Sequence, residues 1–503
     1  MSFREIKELR QSGKLDEALK KSEEALNLDP NNIWNKRAAA WVYYDYLKKN
    51  AQPESFEAFK ENLIKIKDLQ LPEDEKMIFD SCAWQIGSLV FALQKTEHVD
   101  YSKINELFEI IREFHFTKPS EAYSFLYKAF HKSYQNWSNY LTFADWWNFE
   151  NFRNEDYLKE EVNGLKMMSI VEQAYIAYSK KLLEGEPLDP FGQQRVIDKE
   201  KIKAFLPKLD NLIEKYPQFQ YPSYFKAKLL LGLGSDENAL SAFLPFAIQK
   251  RNDFWVWELL AEMFPNDKEI QFSCYCKALS LRTPEDYIVK LRQTFAKMLI
   301  EKGMYNEAKA EIQKVIETRQ KKLWKIPFEI LEWTKQTWFN NAMAEKDNWE
   351  LYKKNLQTAE EILYQNIPEE LVAVQFVDEN KSILYFIKDK NKYGFFKYMY
   401  VLTKPKVGDL LLVRFIGIPH NGYYKILTAK KAEPDLHSDA VKEFDGILKI
   451  AENRKFGFIN DMYIESNLIE KFKLKDGQKL KGMAVLSLDK KKNKWGWKVI
   501  EIK

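Results

Sequence analysis

Phe456 and Phe458, one residue apart around Gly457 and followed by Tyr463, are the side chains in this sequence best suited to do chemistry. On a β-strand, residues i and i+2 share a face, so the two rings point the same way and form a stacking platform for unpaired bases. Lys449, Lys455, Lys479 and Lys481 lie near them in sequence. They would meet phosphates and make such binding salt-dependent. A second pair, Tyr393 and Phe395 around Gly394, repeats the pattern with Lys392 and Lys397 beside it. The spacing predicts an equivalent platform there. The basic run Lys490-Lys491-Lys492-Asn493-Lys494 has the look of a turn that would extend a phosphate track if it sits beside a platform. Trp495 and Trp497, just after it, read as structural.

No constellation of catalytic type accompanies these residues. There is no Gly-x4-Gly-Lys-Ser/Thr loop and no His-Glu-x2-His pair, and the five histidines (His98, His115, His131, His420, His437) are scattered. Cys82, Cys274 and Cys276 are too few for a disulfide framework, and Cys-x-Cys lacks the companions of a zinc site. The expectation is a chain with no catalytic residue, no metal and no cofactor. An enzyme with an unrecognised site in 32–220 is the alternative.

The elements that must position the platforms are visible in how glycine and charge are distributed. Of 17 glycines in 503 residues, 8 fall in 1–365 and 9 in 366–503. So little glycine over 365 residues argues against a nucleotide-binding α/β fold and for helix after helix. Residues 366–503 hold 26 Lys+Arg against 18 Asp+Glu, a net of +8, which leaves 52 against 56 and a net of −4 in the front. An acidic helical body and a basic tail follow, and a basic tail favours a polyanionic partner. No run of about 18 apolar residues exists to span a membrane, and MSFREIKELRQ has no signal-peptide core. The protein is expected to be cytoplasmic, with no membrane partner.

In the front, Leu15, Ala18, Leu19, Ser22, Ala25 and Leu26 make one apolar helical stripe, preceded by Ile6 and Leu9 across a Ser12-Gly13 break. The run GKLDEALKKSEEALNLDPNN resembles a tetratricopeptide repeat in Gly13, Ala18, Ala25 and Pro30. A second match has Gly303, Tyr305, Ala308, Ile312 and Val315. Weaker ones contain Gly234, Ala239 and Phe243, then Trp255, Tyr275 and Ala278. A period of about 34 residues is that of a helical solenoid, and the resemblance implies a superhelix whose concave face docks a protein. Between the matches, 32–220 reads as divergent repeats or helical hairpins. Its aromatic stretch 134–152 is either core or a pocket or partner groove.

From 371 onward the runs are β-branched and aromatic, separated by glycine or polar turns, and two barrels of about 65 residues fit the length. They look duplicated: Lys392-Tyr393-Gly394-Phe395-Phe396 matches Lys455-Phe456-Gly457-Phe458-Ile459, and Lys406-Val407-Gly408-Asp409 matches Lys475-Asp476-Gly477-Gln478. The second set resembles the cold-shock and S1-like OB-fold group. Arg454–Ile459 stands at that group's first RNA-binding motif and Asp461-Met462-Tyr463-Ile464-Glu465 at its second, with Glu465 in place of a histidine.

The fold expected is therefore mainly α, a tetratricopeptide-like solenoid followed by two small OB-like β-barrels. Its parts are a helix pair (1–31), a divergent helical region (32–220), further repeats (221–365), a first barrel (366–435) and a cold-shock/S1-like barrel (440–503). The layout is similar to that of bacterial conflict and defence-island proteins. It implies a non-enzymatic adaptor that binds single-stranded nucleic acid, RNA favoured, with its barrels and a protein partner with its solenoid. A protein–protein scaffold whose barrels never touch nucleic acid is the other reading.

Overall fold

The computed structural model describes residues 3–503 apart from 163, 188–194, 282, 345, 400, 452–455 and 490–493. The chain forms two compact units, Met1–Ala359 and Glu360–Lys503.

The first unit is helical. Its opening pair, Phe3–Gln11 and Leu15–Leu28, turns at Gly13, whose φ of +78° is open to glycine at no steric cost. Later in the chain come three consecutive pairs: Pro222–Leu233 with Asp236–Gln249, Phe254–Glu262 with Lys268–Leu279, and Val289–Glu301 with Tyr305–Lys321. The small residues picked out by the repeat pattern (Ala18, Ala25, Ala239, Ala278, Ala308) are all buried, which lets neighbouring helices approach closely. One apolar core runs from Ala39 to Leu229. The aromatic stretch 134–152 belongs to it: Trp137, Tyr140, Phe143 and Trp147 are each no more than 1% exposed. These rings of the stretch pack as core. Tyr127 and Tyr140 share a hydroxyl–hydroxyl hydrogen bond of 2.9 Å, and the Nδ1 of His131 lies 2.8 Å from the Tyr140 hydroxyl. Two short hairpins, Glu161–Val162 with Leu165–Lys166 and Glu186–Pro187 with Arg195–Val196, interrupt the helices. Helical periodicity gave no sign of them.

The second unit holds two closed five-stranded barrels. The first consists of β1 (Glu370–Asp378), β2 (Ile383–Ile387), β3 (Tyr393–Lys397), β4 (Leu410–His420) and β5 (Tyr423–Lys431). The second consists of β6 (Val441–Ile450), β7 (Gly457–Ile459), β8 (Met462–Ile464), β9 (Lys479–Asp489) and β10 (Lys494–Ile502). Their strand orders are β1-β2-β3-β5-β4 and β6-β7-β8-β10-β9, each antiparallel except for a parallel contact of the third strand with the fifth. That connectivity is the OB-fold's. Alternation builds each core: Val372, Val374, Leu384, Phe386, Phe396, Leu411 and Val413 point into the first barrel. Leu448, Ile459, Ile464, Ala484 and Val499 are among those that fill the second.

Between the barrels lies a third apolar cluster. Ala373 and Ile387 from the first meet Ala440 and Val485 from the second, all fully or nearly fully buried. The side-chain amide of Gln375 donates to the Leu486 carbonyl at 2.6 Å across the same junction.

Candidate nucleic-acid interface

The outer faces of the second and third strands of each barrel carry the aromatic residues. In the second barrel the register aligns Lys449 with Phe458, Phe458 with Tyr463, and Tyr463 with Lys498. Paired residues share a face, so these four form a row across β6, β7, β8 and β10. Phe456, Phe458 and Tyr463 form a ring trio with centroids 5.6–5.9 Å apart. Phe458 is 42% exposed although it sits in a strand. Gly457 between the rings has no space for a side chain, because a Cβ there would stand 2.6 Å from the Lys449 carbonyl oxygen. Burial and the nearby Glu465 charge raise the Tyr463 hydroxyl's pKa above its ordinary value, so it stays a neutral donor.

In the first barrel the same register gives Phe376, Tyr385, Phe395 and Tyr423 in one row across β1, β2, β3 and β5. Successive ring centroids are 5.7, 5.3 and 5.7 Å apart. Leu384 and Phe386, flanking Tyr385, point inward to the core, which is what turns the Tyr385 ring outward.

This corrects the expected equivalence of the two platforms. Lys392–Phe396 lies on the third strand of its barrel, while Phe456–Ile459 leads into the second strand of the other. Sequence likeness aligned the motifs one strand out of step. The counterpart of Phe458 is Tyr385, and that of Tyr463 is Phe395. The turns before the fourth strands fix the alignment. Gly408 N–H donates to Val374 and Gly477 N–H to Leu448, while Val374 and Leu448 donate back to Asp409 and Gln478. Phe376 thus stands where Lys449 stands, after a bulge at Gln375, and Tyr423 stands where Lys498 does.

The lysines expected near the rings divide. Lys449 is exposed beside Phe458. Lys479 and Lys481 pair with Asp445, at 3.4 and 3.1 Å. Together they hold the Asp445 carboxyl below its ordinary pKa, Lys481 contributing most. Lys392 pairs with Glu370 at 2.6 Å and lies over the Phe415 ring, off the row. Lys397 is exposed at the end of β3, opposite Ile383. Lys455 and residues 490–493 lie outside the described residues. Tyr393 is 40% exposed and packs edge-on against Trp495 at 5.1 Å. Trp497 packs on the second barrel's core with the Lys442 ammonium over its ring, and Trp495 packs on the cluster between the barrels.

Sequence reasoning missed Phe376, Tyr385, Tyr423 and Lys498. The inside–outside alternation of SILYFI was the available signal for Tyr385; the other three depend on strand pairing.

Each row opens on a cleft. The one in front of the second barrel, about 860 Å³, is lined by the ring trio together with Trp495, Trp497, Lys494 and Lys498 and the carboxylates of Asp461, Glu465 and Asp489. Glu465 binds Lys498 at 2.6 Å, so these two opposite charges neutralise one another. The one in front of the first barrel, about 350 Å³, is lined by Phe376, Tyr385, Tyr393 and Phe395, and Lys498 is the one charged residue among its described lining residues.

Comparison with known families agrees with this geometry. Residues 364–427 match S1/CSD-like domain 1 of the TOTE conflict systems, and residues 442–502 match S1/CSD-like domain 2 of the same systems. Residues 220–359 match a domain of unknown function (DUF7017). No curated protein matches the chain. Behind its helical region, the chain therefore carries at its C-terminal end two S1/CSD-like domains of the TOTE conflict systems, each an OB-type barrel.

Proposed function

We propose that this protein is a non-enzymatic adaptor. Its barrels hold single-stranded nucleic acid, RNA in preference to DNA, and its helical unit holds a protein partner within a conflict system. The observation that supports the reading best is the alignment of outward-facing, exposed or half-buried rings on the second and third strands of both barrels, the face that OB folds use for oligonucleotides. The four-ring row of the first barrel and the ring trio of the second offer stacking surfaces that no barrel needs for its own core. Stacking is worth about 1–3 kcal/mol per base and tolerates any base. The net +8 of residues 366–503 favours a polyanionic partner.

Titration of labelled single-stranded RNA and DNA into the full chain at two salt concentrations tests this. Micromolar or tighter binding that weakens with salt is expected, and it should fall at least tenfold in Phe458→Ala/Tyr463→Ala. Absence of binding at low salt would leave the protein-scaffold reading in its place.

A further inference from the structure

We infer that the two barrels form one continuous track for a single strand rather than two separate sites. The inference rests on the proposed nucleic-acid reading and adds to it the length and continuity of the ligand.

Three residues, Ser487, Leu488 and Lys498, line both clefts. All three belong to the second barrel, so its β9 and β10 form a wall of the first barrel's cleft. Tyr393 lines one cleft and Trp495 the other, and their rings meet edge-on at 5.1 Å, so the two clefts meet at one aromatic pair. The junction is also held firmly. Ala373, Ile387, Ala440 and Val485 are buried across it. Gln375, the residue displaced by the bulge next to Phe376, ties β1 to the Leu486 carbonyl. Domains joined by few contacts move independently, whereas an apolar, hydrogen-bonded junction fixes their relative placement.

The chemistry changes along the track. The first barrel's row is Phe-Tyr-Phe-Tyr, so it recognises unpaired bases by their faces. The second barrel's row is Lys-Phe-Tyr-Lys, so it adds charge for the backbone. A strand that crosses both lays bases on the first row and brings phosphates to Lys449 on the second, where Lys498 is held by Glu465. A double helix does not fit, because its bases are already stacked on each other.

An OB barrel covers about 4–16 nucleotides, so a strand of about 5 fits one face and one of about 12 reaches both. The test uses the full chain with labelled oligouridine RNA of these two lengths, reading affinity and stoichiometry. Linked sites gain about 100-fold or more, so the longer strand is expected to bind at least that much tighter, one strand per chain. Tyr385→Ala/Phe395→Ala and Phe458→Ala/Tyr463→Ala are each expected to reduce the longer strand to within a few-fold of the shorter. The wild-type length series stands as a test even if a variant fails to fold. Two strands bound per chain, with the longer gaining less than about tenfold, would overturn the continuous track and leave the proposed function standing. No binding at either length would overturn both.

Discussion

Glu465 decides whether Lys498 is free on the second barrel's face. It stands beside Tyr463 and takes up the Lys498 ammonium that would otherwise meet a phosphate. In Glu465→Gln, oligonucleotide affinity should rise about three- to tenfold. The slope of log affinity against log salt should steepen by about 0.7 for the added phosphate contact. Lys498→Ala should weaken binding at both lengths, since Lys498 lines both clefts. Unchanged affinity in both variants, read by fluorescence anisotropy, would put the strand elsewhere. At this scale Phe456 and Phe458 were legible, because i and i+2 spacing on a strand places rings without knowledge of neighbours, and Tyr463 was legible from the resemblance to the second RNA-binding motif. The Phe376 and Tyr423 ends of the other row were not. Their positions depend on which strands hydrogen-bond, and the likeness of KYGFF to KFGFI suggested the wrong pairing.

Among the elements, Gly457 and Gly394 hold the strands close. A Cβ at Gly394 would stand 2.5 Å from the Gly422 carbonyl oxygen, much as one at Gly457 would meet Lys449. Gly457→Ala should cost about 1–3 kcal/mol, as forced overpacking does, and lower the unfolding midpoint of the barrel unit in a thermal melt. In the helical unit, Arg292 and Glu311 pair at 2.5 Å within the helix pair Val289–Glu301 and Tyr305–Lys321. Asn348 donates to Glu311 at 2.6 Å and Tyr352 donates to it as well, while Glu285 grips the guanidinium from the other side. Glu311→Ala removes the centre of this network and should cost about 3 kcal/mol in chemical denaturation, because a buried charge loses a partner. Helix pairs of this kind were legible from glycine breaks and small-residue spacing. The network was not, since a charged residue inside a helix looks solvated until its neighbours are known.

Over the whole molecule, composition already separated a helical body from a basic β-rich tail, because glycine and charge change together near residue 365. What the tail's two barrels share could not be read that way. Ala373, Ile387, Ala440 and Val485 look like ordinary barrel residues in sequence, yet they face each other and join the two domains. The helical unit also contributes a pH dependence. Burial lowers the His131 pKa from 6.5 to about 4, so the neutral ring is the folded form. The stability it contributes is complete above pH 6.5 and is lost as pH falls towards 4. His131→Gln should flatten the melting midpoint of the helical unit across that window.

The claim that the aromatic rows are where a strand lies is met most directly by photocrosslinking. A single-stranded RNA carrying 4-thiouridine is irradiated with the full chain, and the adducts are mapped by mass spectrometry. Adducts on Tyr385, Phe395, Phe458 or Tyr463 and their neighbours are expected. Adducts confined to residues 3–359, or none at a concentration where RNA is bound, would contradict it.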